Sequence, residues 1–96
     1  MHITKRQIIS WLTALIDAGE SPSQVIQALT VIQDFTTWWQ ATTDQPWNPW
    51  RWTLEDDRLF LTTIPPGDRE QADSWLRRFR RWLIDEGVLL NDFDHS

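Results

Sequence analysis

Trp50-Arg51-Trp52-Thr53-Leu54-Glu55-Asp56-Asp57-Arg58-Leu59-Phe60-Leu61-Thr62-Thr63-Ile64 is the stretch on which the fold class turns. Trp50, Trp52 and Leu54 alternate with Arg51 and Thr53, a period of two that fits a strand. After Glu55-Asp56-Asp57-Arg58 the alternation resumes, with Leu59 and Leu61 set against Phe60, Thr62 and Ile64. The expectation is a short β-hairpin. Leu54 lies opposite Leu59, and Trp50, Trp52, Leu54, Leu59 and Leu61 share one face. Glu55 sits beside Arg58 across a four-residue loop, since the turn lacks Asn-Gly or Asp-Gly. A lone hairpin is marginal in water, so this one must pack on neighbouring elements.

Those neighbours read as helices. Upstream, Thr4 with Gln7 has the spacing of a capping box, and Ile3 with Ile8 that of a hydrophobic staple. Ile8, Ile9, Trp11, Leu12, Leu15 and Ile16 gather on one side of the first helix, and Arg6, Ser10, Thr13 and Asp17 take the other. Gly19 supplies a left-handed stop. Ser21-Pro22-Ser23-Gln24 starts a second helix, with proline at the first helical position, where its missing N–H costs nothing. Val25, Ala28, Leu29, Ile32, Phe35 and Trp39 form its inner stripe, widened by Val31 and Trp38. Two such helices joined by about three residues make an antiparallel hairpin. Residues 42–49, with Pro46 and Pro49, break the pattern.

Downstream, Pro65-Pro66-Gly67 ends the extended stretch, and Asp68 with Gln71 marks the start of a third helix. Its inner face is Ala72, Trp75, Leu76, Phe79, Trp82 and Leu83, and Gly87 ends it. Val88, Leu89, Leu90 and Phe93 are too apolar for a free tail and are expected to dock. The fold class expected is therefore α+β and mostly helical: a helical hairpin, a short β-hairpin and a C-terminal helix in one domain over residues 1–96. An all-α bundle with an irregular segment at 44–67 is the alternative.

Composition narrows the function. The 96 residues are 41% apolar and 24% charged, which suits one small globule. Without cysteine there is no disulfide scaffold, thiol nucleophile or cysteine zinc site. No apolar run is long enough to span a bilayer, nothing resembles a signal peptide, and a cytoplasmic setting is the expectation. The net charge of −5 disfavours general binding to phosphate or to anionic membrane.

The templates for nucleophilic, zinc-peptidase and phosphate-loop chemistry are missing. His2 and His95 sit at the chain ends, too poorly held for acid–base work. Glu55-Asp56-Asp57, with Asp68, is the one acidic group worth testing against a hard cation, and adjacent turn carboxylates point apart. No enzyme activity, metal or cofactor is expected.

Two features remain. Eight tryptophans in so short a chain build buried area without disulfides. Some of them can instead anchor a partner, as Trp and Arg do at interfaces. Trp47, between two prolines, is expected to be exposed, and Trp38, at the edge of its stripe, is next. Arg77-Arg78-Phe79-Arg80-Arg81 spreads four arginines over the outer arc of the third helix. They can face water beside local acids, Asp73 with Arg77 and Arg81 with Asp85, or meet an acidic partner or nucleic acid.

The stretch from Ile8 to Pro49, with Leu15-Ile16-Asp17-Ala18-Gly19, Ser21-Pro22-Ser23, Leu29, Phe35, Trp39 and Asn48-Pro49, resembles part of the helical core-binding domain of tyrosine recombinases. That likeness implies a helical hairpin with an Asn-Pro exit. The second helix carries no Arg or Lys for DNA, so the resemblance is not taken as membership.

The reading carried forward is a non-enzymatic protein-interaction module. It would be a small acidic adaptor or inhibitor that binds a larger protein, possibly at a basic nucleic-acid-binding groove. Its candidate partner-binding residues are Arg77, Arg78, Arg80, Arg81, Trp47 and Trp38. A nucleic-acid accessory module using the third helix is the alternative, and an exposed apolar patch is a candidate homodimer face.

Overall fold

The computed structural model describes residues 3–87. The expected helical hairpin is there, as α1 (Ile3–Asp17) and α2 (Pro22–Thr43). α1 is already helical at Ile3, so Thr4 lies inside its first turn and not before it. Gly19 adopts φ +93°, the left-handed conformation an L side chain resists. Its N–H reaches the Ile16 carbonyl at 3.0 Å, and the Glu20 N–H reaches Leu15 at 3.1 Å. This doubled closure ends α1 and turns the chain sharply back. Ser21 then caps α2 by accepting the Gln24 N–H at 3.3 Å, with Pro22 in the first turn. Asp44, at φ 58°, closes the far end by donating its N–H to the Gln40 carbonyl.

The β-hairpin is not formed. Among the described residues there is no strand, and most of them are helical. Pro49–Arg51 makes a single 3₁₀ turn, capped by the Asn48 side chain on the Trp50 N–H at 2.9 Å. Leu54–Leu61 is a helix, α3. The cause lies in Thr53-Leu54-Glu55-Asp56. The Thr53 hydroxyl accepts the Asp56 N–H at 3.2 Å, and the Asp56 carboxylate accepts the Thr53 N–H at 3.0 Å. This reciprocal box satisfies two otherwise orphaned donors. Glu55, Asp56 and Asp57 then fill the first turn, where the helix dipole favours negative charge. The four residues expected to turn a hairpin thus start a helix, and helical spacing turns Asp57 and Phe60 inward. The architecture is an all-helical small domain, as in the alternative named above, but Pro49–Arg51 and Leu54–Leu61 are helical where that alternative left 44–67 irregular.

The last helix, α4 (Pro66–Asp85), starts three residues earlier than expected, with Pro65 in place of Asp68 before its first turn. Asp68 sits in its first turn and gives no side-chain cap; its N–H reaches the Pro65 carbonyl. The α3–α4 corner is closed by Arg69. Its Nε donates to the carbonyls of Leu61 and Ile64, both at 2.8 Å, and its Nη2 to Thr62 at 3.3 Å. One guanidinium thereby ties together three carbonyls at and just after the end of α3.

Tryptophan builds the core. Trp11, Trp39, Trp47, Trp52 and Trp75 are buried, Trp38 and Trp82 partly so, and only Trp50 is strongly exposed. Phe79 of α4 lies at the centre, 4.9 Å from Trp11 and 6.0 Å from Trp52 between ring centroids. Phe35 of α2 meets Trp52 at 5.1 Å and Phe60 at 5.3 Å. The inner face of α1 is narrower than its apolar pattern: Ile8, Trp11 and Leu15 are buried, but Ile9 and Ile16 are exposed. Val88, Leu89, Leu90 and Phe93, expected to dock, lie outside the described residues.

Two substitutions test this arrangement. Thr53→Ala removes the box that starts α3 and should cost about 0.5–2 kcal/mol in urea denaturation. Phe79→Ala empties the centre of the aromatic cluster and should cost roughly 3–5 kcal/mol, most of the stability of a domain this small.

Candidate interaction surface

The four arginines of α4 have separate surroundings. Arg77 and Arg81 are exposed and pair along the helix, with Asp73 at 3.0 Å and Asp85 at 3.5 Å, as their spacing predicts. Arg78 reaches Glu20, in the α1–α2 turn, at 2.9 Å, and its guanidinium lies 4.4 Å from the Trp75 ring centroid. Helical spacing alone does not reveal that partner. Each of these three is met by a carboxylate, so the outer face of α4 is locally neutralised.

Arg80 overturns its expected place on the outer arc. It is 5% exposed, and its Nη2 donates to the Asp57 carboxylate at 2.6 Å. Its guanidinium also lies 4.3 Å from the centroid of the Trp52 ring. The second oxygen of Asp57 accepts the Trp52 indole N–H. One carboxylate of α3 thus receives a cation from α4 and an indole from the segment between α2 and α3. Arg80 belongs to the interior because α3, a helix in place of a hairpin, carries Asp57 to it.

The other acidic residues of this turn also have structural tasks. Glu55 pairs with Arg58, which holds its carboxyl below the ordinary value. Asp56 completes the cap of α3 and accepts the Trp39 indole N–H at 3.1 Å. No group of three metal-binding side chains occurs among the described residues. His2 and His95 lie outside them.

Trp47 is likewise corrected. It is buried, with its ring 5.8 Å from Trp52 and 6.1 Å from Phe79. The flanking prolines break the helix, but the loop folds inward over the core. Trp38 is half-buried, stacked on Phe35 at 6.0 Å and 5.7 Å from Phe60. Both are primarily packing residues.

Among the described residues a groove of about 1190 Å³ lies between the α1–α2 hairpin and the segment 45–51. Ile9 and Leu12 of α1 form one wall and Leu29 and Gln33 of α2 the other; Trp50 closes one end. Ile9 and Trp50 are 55% and 62% exposed. The rest of its lining is mainly uncharged Thr, Gln, Asn and Pro, with Asp34 and Arg51 as its two charges. No sequence signal marked this surface, because the pattern puts Ile9 on the inner face of α1 together with Ile8. No family model, no curated protein and no solved structure matches the chain.

Burial pushes the Asp57 carboxyl above its ordinary value, against the opposing pull of Arg80 and the Trp52 N–H. A carboxyl with a higher pKa in the folded than in the unfolded chain takes up a proton on folding. Its contribution to stability is greatest below the unfolded value and is lost as pH rises through the folded one. The stability of the wild type relative to Asp57→Asn should therefore fall as pH rises above the ordinary carboxylate value of 3.8, measured by urea unfolding at each pH. Arg80→Ala, which leaves Asp57 buried without its cation, should cost about 3–5 kcal/mol at neutral pH.

Proposed function

We propose that this chain is a non-enzymatic protein-interaction module, a small acidic adaptor or inhibitor of the cytoplasm, working through the groove between the α1–α2 hairpin and the segment 45–51. The observation that carries the reading is an apolar groove edged by an exposed tryptophan in a domain whose other tryptophans are largely committed to the core. Exposed Trp at the rim of an apolar cleft is the type of side chain that anchors protein interfaces. The pairing of Arg77, Arg78 and Arg81 with carboxylates supports a protein partner over nucleic acid, because phosphate would have to displace an existing partner from each. No helix among the described residues is long and apolar enough to cross a membrane.

The test is affinity capture on the immobilised full chain, followed by titration of the captured protein. Trp50→Ala should weaken binding by about 30-fold or more, the effect of an interface anchor, while Arg78→Ala should stay within about threefold. A complex with DNA or RNA that dissolves with salt and is lost on replacing Arg77, Arg78 and Arg81 would overturn the reading in favour of the nucleic-acid alternative.

A further inference from the structure

The wall of the groove touches the last helix. Trp47 lines the groove, and its ring stacks on Phe79 of α4 at 6.1 Å between centroids. From Phe79 to Gly87 the helix and its closing turn advance no more than about 12 Å, at about 1.5 Å per residue. Gly87 takes φ +79°, and its N–H reaches the Ile84 carbonyl at 3.0 Å. A left-handed residue in this place turns the chain back toward the helix instead of letting it run on along the axis. Val88-Leu89-Leu90-Asn91-Asp92-Phe93 comes next in sequence, outside the described residues.

We propose that residues 88–93 are the resident occupant of the groove. The chain covers its own interaction face, and an outside partner has to displace this segment to bind. The inference rests on reading the groove as the working surface and adds its regulation.

Reach is the first support. Six extended residues span about 20 Å at about 3.3 Å each, which is enough to carry Phe93 from Gly87 to the Trp47 wall.

The second is composition. Val88, Leu89, Leu90 and Phe93 make four of the six residues apolar. The groove offers Ile9, Leu12 and Leu29 on its helical walls and Trp50 at one end, with Ile9 and Trp50 more than half exposed. Each set covers apolar surface that the other leaves in water.

The third is charge. Asp92 and Asp94 flank Phe93 in sequence. Arg51, next to Trp50, is the one cation lining the groove. It enters no ion pair among the described residues, and its Nη1 donates to the neutral Gln45 side chain at 2.9 Å. A phenyl ring between two carboxylates suits the Trp50 end of this groove.

The fourth is size. A groove of about 1190 Å³ is a little larger than the roughly 300–1,000 Å³ of small-molecule sites, the scale of a short peptide and not of a second folded chain. A segment of the same chain is present at an effective concentration on the order of millimolar, so a small contact area is enough to hold it.

The experiment uses the full chain. It has no cysteine, so Ser96→Cys gives a single site for a nitroxide spin label, which broadens the NMR signals of groups close to it. The Trp50 indole N–H signal and the Ile9 and Leu29 methyl signals should be lost. Adding Leu90→Ser and Phe93→Ser should restore all three, with far-UV circular dichroism unchanged. In a mixture of labelled chain with isotope-enriched, unlabelled chain the signals should persist; their loss there puts the segment of one copy on another and overturns the inference. Intact signals in the labelled chain also overturn it, as does a loss that the double serine variant does not reverse.

The captured protein supplies the second readout. The double serine variant should bind it about tenfold more tightly than wild type, the gain expected if the groove is otherwise about nine-tenths occupied. Lost signals with unchanged affinity uphold the docking and defeat the groove as the working surface. Intact signals with a partner that depends on Trp50 defeat the docking and leave the interaction module standing.

Discussion

The Asp57 carboxylate holds together three parts of the chain that share no backbone hydrogen-bond ladder. It sits on α3, takes the Arg80 guanidinium from α4, and takes the Trp52 indole from the segment joining α2 to α3. Arg80 in turn lies over Trp52, so the three groups form a closed set. A buried ion pair of this kind is weak evidence for net stability, because desolvating both charges offsets much of their attraction. What it supplies is definition. An aromatic core can slide among packings of similar energy, but a carboxylate with two directed partners admits one register of α3 against α4. The groove depends on this at one remove. Trp52 anchors the loop from which Trp50 projects, and that loop reaches the end of the hairpin only while Trp52 stays in place.

Around that fixed point the tryptophans substitute for length. A chain of 96 residues buries a smaller share of its surface than a larger domain. Here five indoles are buried against one another and against Phe35, Phe60 and Phe79. Two of them, Trp39 and Trp52, also donate their N–H groups to adjacent carboxylates of α3. The same residue type therefore supplies apolar area and the polar ties that orient α3, and this is why so short a helix is held firmly.

Much of the helical framework was legible in the sequence, and the reasons are local. Gly19, Ser21-Pro22 and Gly87 each act within a few residues, and the inner stripes of α2 and α4 keep a period of 3.6. Residues 50–64 were misread because two signals overlap there. Trp50, Trp52 and Leu54 do alternate, and the acidic residues after them suit a turn; the box from Thr53 to Asp56 outweighs both once it has a helix to start. Arg80 and Trp47 were misplaced for a different reason. Whether an arginine at the edge of a helical arc faces water or the interior is decided by what packs beside it, and Asp57 is 23 residues away on an element not foreseen. The groove beside the α1–α2 hairpin was not legible: the pattern puts Ile8, Ile9 and Ile16 on one inner face of α1, and which of them the other helices leave uncovered is a property of the packed molecule.

The brevity of α3 has a further consequence. Eight residues are fewer than the roughly 12–15 that an isolated helix needs in water. Before α4 docks, this stretch has no helix to keep, and its alternating Trp-Arg-Trp-Thr-Leu run is free to take the extended form that its pattern also fits. In that state it is a short, apolar, strand-forming segment with unpaired backbone groups along both sides, the kind that recruits other chains edge to edge. Glu55, Asp56, Asp57 and Arg58 stand directly after it, a block of charge that such stacking would have to bury. The acidic turn that caps a helix in the folded molecule thus also acts as a gatekeeper against aggregation while the chain is still unfolded.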